Sequence, residues 1–536
     1  LIEMTGLTYH YPGRETPALS AVNLRVSTGE FLLVIGSSGS GKSSLLRCLN
    51  GLVPHFYGGT LRGSVRVAGR DPVALGPAGL SDLVGFVAQD PEAHFVAARV
   101  EDELAFAMEN RSLPQTLMRK RIEEVLDQLS IAHLRQRRID TLSGGEQQRV
   151  AIGSVLTLEP AILVLDEPTS QLDPQGAEEV LNTLRQLNED LGLTVVLSEH
   201  RLERVAHYAD RICLLRAGHP PIVASAREVL AESEQVPPLV SLGRKLGWEP
   251  LPLTIKEARS HIPELLSRLA SCGGSPPSSS TARGRAVIST RGVWHSYDRL
   301  EALRGVDLEI RAGERVALMG RNGSGKSTLL KMLVGLLKPQ RGHVEILGRA
   351  LEELPLAEVT RQVGFVPQNP GRLLFRDTVV DEVRFTRKAH GLPATDMADL
   401  LNRLGLSAQA GSYPRDLSSG ERQRAALAAI LAAEPEILLL DEPTRGLDDA
   451  SKEQLRAILE ELSARDVTTI LATHDVELVA RFAQRVVLLG EGEVVVDGPV
   501  REVMTASAVF ASQVNKLLRD ERFLTVDDVL DCLAHA

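Results

Sequence analysis

The run Gly36-Ser37-Ser38-Gly39-Ser40-Gly41-Lys42-Ser43-Ser44 returns as Gly320-Arg321-Asn322-Gly323-Ser324-Gly325-Lys326-Ser327-Thr328. Each copy follows a short apolar run, Phe31–Ile35 or Val316–Met319, and after the first copy Leu45, Leu46 and Leu49 recur at helical spacing. Strand, glycine loop and helix form the context in which backbone N–H groups wrap phosphate oxygens. There the lysine offers a cation to the β- and γ-phosphates, and Ser43 or Ser327 offers a hydroxyl to Mg²⁺. At ordinary composition a Gly-x4-Gly-Lys-[Ser/Thr] match arises by chance about 0.02 times in a chain this long, so two in register mark a duplication.

The trailing motifs repeat as well. Gln89 answers Gln368, and Leu142-Ser143-Gly144-Gly145-Glu146 answers Leu417-Ser418-Ser419-Gly420-Glu421. Asp166-Glu167 answers Asp441-Glu442, and His200 answers His474, with counterparts roughly 280 residues apart. Both Asp-Glu pairs close apolar runs of buried-strand type, which puts two carboxylates at a strand end. The first is suited to hold a metal through water and the second to polarise an attacking water. Ser-x-x-Glu is also a capping box, so Ser143 and Glu146 read both as a helix start and as an anion-binding helix N-terminus.

The duplication predicts domains over 1–230 and 285–500, C-terminal extensions over 231–271 and 501–536, and a flexible Pro/Gly/Ser tether over 272–284. With 43% hydrophobic residues, each module has enough apolar surface for its own core. A net charge of −10 argues against nucleic acid as a partner. No apolar run approaches the ~18 residues of a membrane span, and Leu1 to Glu30 shows no signal-peptide pattern, which predicts a cytosolic chain. Cys48, Cys213, Cys272 and Cys532 are scattered without Cys-x-x-Cys pairs and are expected to be reduced.

The whole order of motifs resembles the ATP-binding-cassette ATPases. The resemblance implies an α/β fold of two tandem phosphate-loop domains, each with a mixed-sheet core and a helical subdomain, using ATP and Mg²⁺. Under it Tyr11 and Tyr297 stack on adenine, and Gln89, Gln368, Ser43, Ser327, Asp166 and Asp441 face the metal. Glu167 and Glu442 serve the attacking water, His200 and His474 are switch histidines, and Asp173 and Asp448 belong to the D-loops. In that family the cassettes meet head to tail. One site then joins Lys42, Asp166 and Glu167 to Ser418, Ser419 and Gly420; the other joins Lys326, Asp441 and Glu442 to Ser143, Gly144 and Gly145.

The stretches Val236–Trp248, Leu253–Ala258, Val514–Asp520 and Phe523–Val529 resemble the C-terminal extensions of energy-coupling factor transporter ATPases. This implies an importer subunit on the cytoplasmic face of the membrane, working with a transmembrane coupling subunit and a substrate-capture subunit. Glu101, Asp102 and Glu103, or Asp377, Asp381 and Glu382, are then candidates to receive a partner's arginines; the plainer reading is acids at a solvated helix start. Another fused importer ATPase and a non-transport ATPase such as a translation factor stay open. Because Ser419 replaces the glycine seen at Gly144, the site built on Lys42 is expected to be the slower one. Glu442→Gln should therefore remove more steady-state ATP hydrolysis than Glu167→Gln, and equal residual rates in the two purified variants would refute the asymmetry.

Overall fold

All five residues of the strand Phe31–Ile35 are buried, because alternate side chains enter different layers. Phe31, Leu33 and Ile35 join a core with helices, while Leu32 and Val34 join one with the antiparallel sheet and the helix Lys42–Leu49. A strand covered on both faces must be apolar throughout, which accounts for the unbroken run Phe-Leu-Leu-Val-Ile. The computed structural model describes residues 1–170, 172–270, 284–298, 300–393 and 396–535. Most of the expected tether, 272–283, lies outside the described residues.

The chain divides into two units, Leu1–Glu257 and Ala258–Ala536. In the first, six strands lie in the order Val84–Val87, Ile162–Asp166, Thr194–Ser198, Phe31–Ile35, Arg211–Leu214 and Ile222–Ala224. All neighbours are parallel except the last pair. An antiparallel sheet of Leu19–Val26, Ile2–His10 and Thr60–Val67 forms a second layer. The helices Val100–Asn110, Gln115–Gln128 and Gly144–Leu156 make the helical part, burying Leu104, Met108, Val125, Leu126 and Val150. Each such side chain contributes roughly 1.5–3 kcal/mol of burial.

The second unit repeats the plan. Its large sheet runs Val363–Val366, Ile437–Asp441, Thr468–Ala472, Arg315–Met319, Arg485–Gly490 and Glu493–Pro499. Its helical part includes Val379–Ala389, Ala398–Arg403 and Ser419–Leu431. In both units the glycine loop, the Asp-Glu pair, the glutamine and the histidine follow the carboxyl ends of parallel strands, where open α/β sheets gather their ligands. No helix among the described residues is long and apolar enough to cross a membrane.

Two features depart from expectation. The division at Glu257 falls inside the stretch 231–271 assigned to the first module, because the helix Ile262–Leu269 packs on Val526–Ala534. Leu265, Leu269, Val526 and Val529 are all buried. The cysteines also divide: Cys48 and Cys213 are free and buried, and burial pushes both thiols up to about 12. Cys532 is disulfide-bonded, which corrects the expectation that every cysteine is reduced. Cys272 lies outside the described residues.

Leu265→Ala should destabilise the second unit by about 2–4 kcal/mol. Trp248→Phe leaves Trp294 as the sole tryptophan, so urea unfolding followed by its fluorescence reads that unit alone. An unchanged midpoint would assign the helix to the first unit instead.

Candidate functional site

In each unit the glycine loop ends where a side chain has no room. A Cβ on Gly41 would sit 2.2 Å from the Ala18 carbonyl oxygen at φ +99°, and one on Gly325 2.4 Å from that of Ala302 at φ +100°. Both lysines that follow are buried and donate into their own loops. Lys42 Nζ reaches the carbonyl oxygens of Gly36 (2.8 Å) and Ser37 (3.1 Å), and Lys326 Nζ those of Gly320 (2.8 Å) and Arg321 (3.0 Å). The hydroxyls of Ser40 and Ser324 are buried with no hydrogen-bond partner, which leaves a donor in each loop for a phosphate oxygen.

The strand pairing places Asp166 opposite Ser198 and Asp441 opposite Ala472. The next residues, Glu167 and Glu442, both adopt φ +49°. For a glutamate this left-handed backbone costs roughly 1–2 kcal/mol, a strain characteristic of functional turns. The turn is held by the Glu167 N–H donating to the Ser198 carbonyl (3.1 Å) and the Glu442 N–H to that of Ala472 (2.8 Å).

Around Glu167 the expected groups converge. Gln89 Nε2 donates to Oε2 at 2.7 Å, and His200 Nε2 lies 2.6 Å from Oε1. In the second unit His474 Nε2 lies 3.1 Å from Glu442 Oε1 and 3.0 Å from Asn322 Oδ1 of the glycine loop. Gln368 is exposed there. Burial pushes the Asp441 carboxyl up, against the Ser327 hydroxyl and the Lys326 charge, and its Oδ1 is buried without a hydrogen-bond partner. An orphaned buried carboxylate oxygen beside a serine hydroxyl fits a hard divalent cation such as Mg²⁺.

The two aromatic candidates differ. Tyr11 shares a hydrogen bond with Ser44 Oγ (3.0 Å) and accepts one from Arg47 (3.3 Å), whereas Tyr297 is 43% exposed beside His295. Asp173 and Asp448 cap their helices, accepting from Gly176 N (2.8 Å) and Ser451 N (2.9 Å). Both signature segments form capping boxes. Ser143 and Ser418 accept from the N–H of Glu146 and Glu421, and each glutamate accepts in return from its serine N–H. Ser419 opens its helix with an exposed side chain.

Two acids offered to a partner's arginines are committed elsewhere. Glu103 is buried and accepts from the N–H of Val96 (2.9 Å) and Ala97 (2.7 Å), and buried Glu382 accepts from the N–H of Phe375 and Arg376. Satisfying those loop amides inside the fold is their task. Glu101 is held by Arg135 and Gln136, and Asp381 by Thr378, so Asp102 and Asp377 are the exposed acids.

Sequence reasoning missed Ser198, whose hydroxyl donates to Asp166 Oδ1 (2.7 Å) and accepts from the Glu167 N–H (3.0 Å). It also missed Glu199, buried and bonded to Thr169 Oγ1 at 2.5 Å. The contrast of Ser198-Glu199-His200 with Ala472-Thr473-His474 was the available signal.

The capping boxes carry a pH signature. Burial works to raise the Glu146 and Glu421 carboxyls, yet the bonds from Ser143 and Ser418 prevail and hold both below the ordinary 4.5. A carboxyl depressed by folding contributes stability that is present above its unfolded value and lost as pH falls through the folded one. Ser143→Ala and Ser418→Ala should each cost about 1 kcal/mol at pH 7, with a smaller penalty in acid. Urea unfolding at both pH values checks this, and a penalty independent of pH would refute it.

Comparison with known proteins accords with this geometry. A family model described as ABC transporter matches residues 19–170 and 303–445. A putative ABC transporter ATP-binding protein of Streptomyces coelicolor is 48% identical over 99% of this chain and 100% of its own length. A Methanosarcina mazei protein of the same description is 38% identical over 94% of this chain and 90% of its own. Among solved structures, the archaeal ribosome recycling factor aABCE1, in complex with the ribosomal stalk protein aP1, aligns over 94% of this chain and 91% of its own, with a TM-score of 0.60 and 23% identity. The protein cbiO1 from Clostridium perfringens, part of the ABC transporter complex cbiONQ, covers 49% of this chain and 96% of its own, with a TM-score of 0.41 and 28% identity. The expectation of an energy-coupling factor importer subunit is thereby corrected: the solved structure that aligns along nearly the whole chain is described as a ribosome recycling factor, and the cbiO1 match spans half of the chain and does not carry the assignment. What stands is the coarser statement: the chain belongs to the ABC transporter ATPase family, as a fused pair of ATP-hydrolysing cassettes.

Proposed function

We propose that the chain is a double-cassette motor in which both cassettes bind Mg²⁺-ATP, so that binding and hydrolysis drive conformational change in a partner assembly. The observation that carries this reading is the convergence of Gln89 and His200 on Glu167, with His474 likewise on Glu442, beside a glycine loop with a buried lysine. Glu167 and Glu442 would orient the attacking water, while His200 and His474 hold those carboxylates in place. Ser43, Gln89 and Asp166, or Ser327, Gln368 and Asp441, would hold the metal. Mg²⁺, when bound, neutralises phosphate charge. Tyr11 and Tyr297 would contact the base, and the helix starts at 143–145 and 418–420 would offer their N–H groups to a phosphate.

The nature of the partner divides two readings. The relatives' shared description as ABC transporter ATP-binding proteins favours a membrane transporter. The non-transport alternative is an assembly of the kind named for the archaeal recycling factor, which that description assigns to the ribosome.

Lys42→Ala and Lys326→Ala combined should lower ATP turnover by at least roughly 10²-fold, the scale of losing charge stabilisation at a transferring phosphoryl group. Turnover that survives the double variant would sink the motor. Fractionation of tagged protein with ATP and the Glu167→Gln, Glu442→Gln background decides the partner: sedimentation with ribosomes supports the non-transport reading, and retention with membranes supports the transporter.

A further inference from the structure

We propose that Ser198 is a positioning residue for the metal-side carboxylate of the first unit, with no equivalent in the second, so that the two sites differ in how strongly Mg²⁺ supports nucleotide binding. The inference rests on the ATPase reading above and adds to it a residue that acts through Asp166.

The two sites share one backbone plan. Asp166 pairs with Ser198 and Asp441 with Ala472 at the same register of neighbouring parallel strands. Only the first has a hydroxyl at that place. Ser198 Oγ, fully buried, donates to Asp166 Oδ1 at 2.7 Å and accepts from the Glu167 N–H at 3.0 Å. One side chain therefore anchors the metal-side carboxylate and gives the Glu167 N–H a second acceptor besides the Ser198 carbonyl at 3.1 Å. In the second unit Glu442 N–H keeps the equivalent bond to the Ala472 carbonyl at 2.8 Å, while Asp441 has the Ser327 hydroxyl beside it and its Oδ1 is buried with no hydrogen-bond partner.

The next position reinforces the difference. Glu199, 2% exposed, accepts from Thr169 Oγ1 (2.5 Å) and from the N–H groups of His200 (3.0 Å) and Arg201 (3.2 Å). It ties the segment before the histidine to the turn after Glu167. Thr473 replaces it with a longer contact to Thr444 at 3.4 Å. The first unit thus anchors its carboxylate from the neighbouring strand, whereas the second has the Ser327 hydroxyl of the glycine loop beside its carboxylate and lacks that strand-side bond. Hydrogen-bond partners behind metal-holding carboxylates typically change metal affinity 10- to 100-fold when removed.

The test reads binding, one site at a time, with a fluorescent ATP analogue titrated against Mg²⁺ and in EDTA. In the full chain carrying Lys326→Ala, adding Ser198→Ala should weaken the apparent Mg²⁺ affinity about tenfold, leave binding in EDTA unchanged, and be rescued by Ser198→Thr. In the chain carrying Lys42→Ala, Ala472→Ser should strengthen the Mg²⁺ dependence of the second site. An unchanged Mg²⁺ dependence, or an equal loss in EDTA, overturns the proposal. If Ser198→Ala does not fold, the Ala472→Ser arm decides alone, and no gain there overturns it. Absence of nucleotide binding in both single-lysine parents would instead overturn the motor reading and leave Ser198 a purely structural hydroxyl.

Discussion

The pairing of the strand ending in Asp166 with the strand ending in Ser198, repeated by Asp441 and Ala472, is the contact on which both sites depend. It puts the Asp-Glu pair one strand away from the strand that feeds the glycine loop, with the histidine strand between them. The chain must then turn sharply, and Glu167 and Glu442 absorb the turn at φ +49°. A strained glutamate keeps that backbone only because its N–H is bonded to the neighbouring strand. Loss of the pairing would release the turn, the carboxylate and the histidine together.

On this shared frame the two sites are built unequally. Ser419 lies in the signature segment, Ser198 and Glu199 lie behind the first metal-side carboxylate, and Asn322 lies in the second glycine loop. His200 meets Glu167 with Gln89 on the other carboxylate oxygen, whereas His474 stands between Glu442 and Asn322. The second arrangement links the histidine directly to the phosphate loop. A duplicated fold thus retains one backbone and varies the polar groups at the strand ends, where substitution costs little core packing.

Much of this was legible from residue order. The apolar runs Phe31–Ile35 and Ile437–Leu440 predicted buried strands, and the strands are buried throughout. The Ser-x-x-Glu pattern predicted capping boxes at Ser143 and Ser418, and both form. Glu103 and Glu382 were not legible, since an acid at a helix start looks solvated until the loop amides folding back over it are known. The place of Ile262–Leu269 was equally hidden, because its partner Val526–Ala534 lies far away in sequence. The resemblance of the extensions to an importer group did not survive comparison along the whole chain.

By itself the sequence determined the duplicated phosphate loops, the strand-ending carboxylates and the family, because these rest on local spacing and on which residue types can bind phosphate. Tertiary structure alone decided which side chains meet: Gln89 with Glu167, His474 with Asn322, and Ser198 with Asp166. The physical reason is that strand register is set by packing over the whole sheet. A hydroxyl at position 198 and a methyl at position 472 acquire their meaning only from the carboxylate that register brings alongside.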